Sequence, residues 1–135
     1  MAFKAKTRQG LRALDVGLVY LFGSRASART RLNSDFDLAV AFANRPTPQK
    51  IAEIHPRLYD LLAAEFPVGK TQDLDIAYLQ DASLEFQIQV IEEGRILFES
   101  ERGFRADFEE SVIKQFLDFR PIAAQFTAAL MERLE

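Results

Sequence analysis

A small mixed α/β (α+β) sheet of three to four strands, with helices packed on it and a helical tail, is the fold this chain predicts. Three observations predict it. Val16–Phe22 is a near-continuous apolar run that reads as a buried strand. Residues 35–42 form a second such run, apolar after an acidic start. Ile51, Ile54, Leu58, Leu61, Leu62 and Phe66 then recur at helical spacing ahead of a third apolar stretch over 74–79.

The elements follow in order. Residues 3–14 read as a short helix with Leu11 and Leu14 on its apolar side. Gly23-Ser24 ends the first strand, 25–31 can form about two helical turns, and Leu32-Asn33-Ser34 reads as a turn. Residues 44–48 are a loop and 49–66 a helix, with Pro56 weakening the helical pattern locally. Asp73 and Asp75 stand at the entrance of the third strand. Ser83 is the expected N-cap of a helix over 84–92, Gly94 its stop, and Ile96-Leu97-Phe98 a short edge strand or extended segment. Over 101–135, Phe104, Phe108, Val112, Phe116 and Phe119 step by three or four residues. Pro121 is expected to break or kink this run before Ile122, Phe126, Leu130 and Leu134 resume the spacing.

At 135 residues and 15.3 kDa the chain is expected to form a single domain spanning 1–135, with 100–135 as the helical tail. A net charge of −3 gives no support to nucleic-acid binding through a basic surface. The absence of cysteine excludes disulfides, thiolate metal sites and cysteine nucleophiles, in keeping with a cytoplasmic protein. No apolar run approaches the ~20 residues of a membrane span, and the start lacks the apolar core of a secretory signal.

The chemistry concentrates where the first two strands meet. Gly23-Ser24 is followed by ten residues and then Asp35-Phe36-Asp37. Residues two apart on a strand share a face at about 6.6–6.8 Å, so Asp35 and Asp37 can converge while Phe36 faces the core. Two carboxylates on one partly buried face repel each other, and a divalent cation relieves that conflict. Hard oxygen ligands favour magnesium or manganese. Gly23 lets backbone approach a phosphate, Ser24 adds a hydroxyl donor, and the adjoining Arg25 is a candidate phosphate ligand. Asp75 supplies another carboxylate if its strand neighbours the second. Such a set can hold a metal-bound triphosphate for in-line displacement.

These residues resemble the minimal nucleotidyltransferases of the DNA polymerase β-like superfamily. The family signature is Gly-Ser, ten residues, Asp-x-Asp and a third aspartate on a later strand. Here these are Gly23, Ser24, Asp35, Asp37 and Asp75, since Leu74-Asp75-Ile76 matches the apolar-Asp-apolar strand better than Asp73 does. Residues 86–99 and the tail from Asp107, with Phe116-Leu117-Asp118-Phe119, resemble the MntA-type antitoxin branch. Ala28 stands where many relatives carry glycine, a departure that leaves every predicted ligand intact.

The resemblance implies a nucleotidyltransferase fold and the antitoxin of a type VII-like pair. In that branch AMP is transferred from ATP, with Mg2+ (or Mn2+), to a tyrosine of a HEPN-domain ribonuclease toxin. The implied partners are the toxin, in a hetero-oligomer, and a nucleotide, with no membrane and no direct nucleic acid. Two alternatives stay open: an antitoxin that masks its toxin by contact alone, and a transferase acting on a small molecule. Gly69-Lys70-Thr71 looks like the end of a P-loop, but Ala64 stands where that motif needs its first glycine, and the segment precedes a strand. His55, the only histidine, reads as a surface or helix-packing residue. The phenylalanines of the tail read as a stripe that packs on the sheet, met in part by a partner helix.

Overall fold

The computed structural model describes residues 2–23, 36–67 and 73–134, without the side chains of 120–131 and 134. Helix α1 (Ala5–Ala13) leads into β1 (Val16–Phe22). After β2 (Phe36–Phe42) come α2 (Pro48–Ala63), β3 (Leu74–Tyr78) and a short 3-10 turn at Leu79–Asp81. Helix α3 (Leu84–Glu93), β4 (Arg95–Glu99) and α4 (Phe104–Leu134) complete the chain. The predicted turns over 25–31 and the Gly69-Lys70-Thr71 segment lie outside the described residues.

The four strands form one mixed sheet in the order β3-β2-β1-β4. β1 pairs antiparallel with both β2 and β4, and β2 pairs parallel with β3. β1 is central, which accounts for its unbroken apolar run: a strand covered on both faces has no reason to alternate. β4 is the edge strand that the sequence predicts.

The alternation of side chains sorts the core into two clusters. On one face, Val19, Leu21, Leu38 and Val40 meet Leu11 of α1 and Ile54, Leu58 and Leu62 of α2. On the other, Leu18, Tyr20, Ala39 and Ala41 meet Val90 of α3, with Phe86, Phe104 and Phe108 packed around them. Gly17 allows a close approach of α4 on this second face, because a Cβ there would lie 2.4 Å from the Phe104 ring. Glu65 ties α1 to the end of α2, accepting hydrogen bonds from the Lys4 amide (3.1 Å) and the Thr7 hydroxyl (2.8 Å).

Two prolines act differently from their sequence signal. α2 runs through Pro56 without interruption, capped at its start by the Thr47 hydroxyl, which accepts from the Lys50 amide at 3.1 Å. Proline removes one backbone bond, but burial of Ile54, Leu58 and Leu62 on one face holds both sides of the gap in a single helix. Pro121 likewise does not break α4, which continues to Leu134 as one helix of 31 residues. The cap and stop signals of α3 are met. Ser83 caps α3, accepting from the Phe86 amide at 3.2 Å, and Gly94 follows its last residue.

Candidate active site

Parallel pairing of β2 and β3 places Asp37 directly beside Asp75 in register. In-register neighbours on adjacent strands share a face, so the two carboxylates stand side by side on the face that carries α3 and α4. Asp75 is exposed and Asp37 half-buried, as suits ligands at a sheet's rim. Phe36, between them and the opposite core, is 7% exposed and packs on Phe66 with ring centroids 5.0 Å apart.

Gly23 closes the site from β1. Antiparallel pairing sets Phe22 opposite Asp37, and the chain turns at Gly23 with φ of 78°. A Cβ at Gly23 would lie 2.7 Å from Asp37 Oδ2. Glycine is required here twice over, for the left-handed backbone and for the space that the carboxylate occupies. The turn of the Gly-Ser motif and the second aspartate of Asp-x-Asp are thus in contact, although 13 positions separate them in sequence. Ser24, Arg25 and Asp35 lie outside the described residues.

The two acidic residues at the start of β3 have different work. The Asp73 carboxylate accepts a hydrogen bond from the Tyr59 hydroxyl of α2 and another from the Leu74 amide at 2.8 Å. The Tyr59 bond, then the Leu74 amide, hold its carboxyl below the usual carboxylate range. Asp73 therefore fastens β3 to α2, and Asp75 is the residue beside Asp37. His55 has a packing role too: its Nδ1 lies 2.5 Å from the Tyr78 hydroxyl, on α2 against the sheet.

Two features of this end of the sheet have no local sequence signal. Phe22 and Phe86 form an edge-to-face pair, with centroids 5.3 Å apart, on the strand position opposite Asp37. Arg95, the exposed first residue of β4, is paired to Leu21 and so stands at the same end as the carboxylates. Both arise from pairing across β1 and α3.

Asp37 and Asp75 present hard oxygen atoms to one place, a donor set suited to a divalent cation such as magnesium. No group of three or more ligating side chains occurs among the described residues, and Asp35 is not one of them.

The polymerase beta nucleotidyltransferase model matches residues 6–103. The chain belongs to that family. The matched stretch of this nucleotidyltransferase begins in α1 and ends just before α4, so it holds the whole sheet and Asp35, Asp37, Asp73 and Asp75. Comparison with curated proteins returns no match. Solved structures match over almost the full length. A chain from a toxin–antitoxin crystal structure with AMP-PNP is 24% identical, with a TM-score of 0.61, covering 98% of this chain and 100% of that one. A chain from the MntA–HepT toxin–antitoxin structure is 22% identical, with a TM-score of 0.53 and the same coverage. A third, from a tri-AMPylated Shewanella oneidensis HEPN toxin in complex with MNT antitoxin, is 21% identical with a TM-score of 0.53, covering 96% of this chain and 98% of that one. At these identities the likeness is one of fold, and it includes the α4 segment that lies beyond the family model.

Proposed function

We propose that this nucleotidyltransferase is an antitoxin that transfers AMP from ATP to a tyrosine hydroxyl of a HEPN-domain toxin. The observation that carries the reading is the register pairing of Asp37 with Asp75, with Gly23 closed against Asp37. Support for the partner comes from the fold neighbours, which are toxin–antitoxin complexes, one with AMP-PNP and one with an AMPylated HEPN toxin.

In this reading the phenolic oxygen of the acceptor attacks the α-phosphorus of ATP. A new P–O bond forms, the bond to the bridging oxygen of the β-phosphate breaks, and pyrophosphate leaves. Asp35, Asp37 and Asp75 would hold magnesium, which when bound neutralises charge on the triphosphate. Asp75, the more exposed of the two described carboxylates, also faces the acceptor and accepts or orients its proton, useful help for a group with a reference pKa near 10. The Gly23 backbone, Ser24 and Arg25 hold the phosphates.

Incubation with labelled ATP, magnesium and a HEPN-domain toxin tests the proposal. Label should pass to the toxin, and an Asp35→Asn/Asp37→Asn variant should lose the transfer. Equal labelling by the two proteins would overturn the mechanism. The exposed apolar side chains of α4 favour a second reading, in which the antitoxin masks the toxin by contact; the double variant would then still neutralise it at stoichiometric amounts.

A further inference from the structure

Helix α4 changes its relation to the rest of the molecule at Val112. Before that point it is part of the core: Phe104 lies against Gly17, Phe108 packs in the second cluster, and Val112 is 3% exposed. Glu109 holds it to the sheet, accepting from the Tyr20 hydroxyl at 2.8 Å and from Arg105 Nε at 3.0 Å. Phe119 lies two turns beyond Val112 on the same helical face, yet is 48% exposed. The stripe has continued, but it is no longer covered. Ile113 and Leu117, one turn apart on the adjoining face, are 42% and 53% exposed.

The exposed side chains are not scattered. With Phe116, they span roughly 160° of the helix circumference, while Glu110, Lys114 and Asp118 occupy the polar remainder. A helix with so broad an apolar band ordinarily buries it. The part beyond Val112 is roughly 33 Å long, enough to span another domain.

Position selects the occupant. α4 starts at Gly17, near the end of β1 remote from the site, and by Glu109 has reached the hydroxyl of Tyr20, farther toward Phe22. It therefore travels toward the carboxylate end, on the sheet face that bears Asp37 and Asp75. We infer that the half of α4 beyond Val112 is the docking element for the acceptor protein, holding an apolar surface of it so that its tyrosine reaches the carboxylates. This rests on the proposed function for the identity of the acceptor; the docking claim is separate from the chemistry.

The test uses the full chain with a HEPN-domain toxin, the two proteins purified separately. Ile113→Asp/Leu117→Asp and Phe119→Asp should each lower affinity for that protein roughly tenfold or more by calorimetry. Their circular dichroism and melting should remain those of the parent, since these side chains already face solvent. Asp37→Asn should bind as the parent does, which separates failed docking from failed catalysis. Unchanged affinity in both α4 variants would overturn the inference. So would variants that alter only self-association in sedimentation, because the occupant would then be a second copy of this chain.

Discussion

The two faces of the sheet are built from the same four strands but by different rules. The face under α1 and α2 carries large side chains from every strand, including Leu38, Val40, Phe42 and Leu74, and closes over them. The face under α3 and α4 carries Gly17, Ala39 and Ala41 where the helices come close, a hydrogen-bonded tyrosine, and at its rim Asp37 and Asp75. One face supplies stability through volume. The other gives up apolar volume so that a helix and a pair of carboxylates can share it. A strand with period two can serve both, since alternate residues never compete for the same side.

Breaking the second face at its rim should have the largest effect. Asp37→Asn is expected to lower AMP transfer by roughly 10²–10³-fold, measured with labelled ATP and the toxin, with the melting curve showing that the fold persists. Breaking the first face should act on stability instead. Leu58→Ala removes a side chain with no exposure and should cost about 2–5 kcal/mol in urea unfolding, with transfer per folded molecule unchanged. Gly17→Ala tests the close approach of α4: the new Cβ meets the Phe104 ring and should cost about 1–3 kcal/mol, since the ring has to shift.

The smallest effects come from the buried hydroxyls. Burial, and then the Glu109 bond, raise the pKa of the Tyr20 hydroxyl, and burial pushes that of Tyr78 up to about 12. A tyrosine raised in the folded state stays neutral there while its unfolded form ionises near pH 10, so its contribution is full below pH 10 and is lost as pH rises beyond it. Stability should therefore fall in alkali from about pH 10, and Tyr20→Phe should flatten that fall. At neutral pH the same substitution should cost about 1 kcal/mol, through the hydrogen bond that Glu109 loses.

Much of this was legible in the chain. Val16–Phe22 is a strand to the residue, because continuous apolarity, a glycine turn and a single covered length coincide there. Ser83 and Gly94 mark α3 because caps act within one turn. The prolines were less legible: in α2 the local propensity of Pro56 is outweighed by burial of Ile54, Leu58 and Leu62 on the flanking turns, and α4 also continues past Pro121. Tyr59 could not be seen as the partner of Asp73, nor Glu109 as that of Tyr20, because hydrogen bonds across 14 and 89 positions leave no periodic trace.

The sequence by itself determined the motif, since Gly-Ser and Asp-x-Asp at their spacing name a chemistry, and residues two apart on a strand share a face wherever that strand goes. The sequence also favoured Asp75 over Asp73, but that Asp75 stands beside Asp37 was decided by the parallel register of β2 and β3. Where the stripe of α4 stops being core was decided by what packs against it: Val112 is covered and Ile113, Leu117 and Phe119 are exposed. Both depend on what lies beside a residue in space, and the order of residues along a chain specifies that only once the chain has folded.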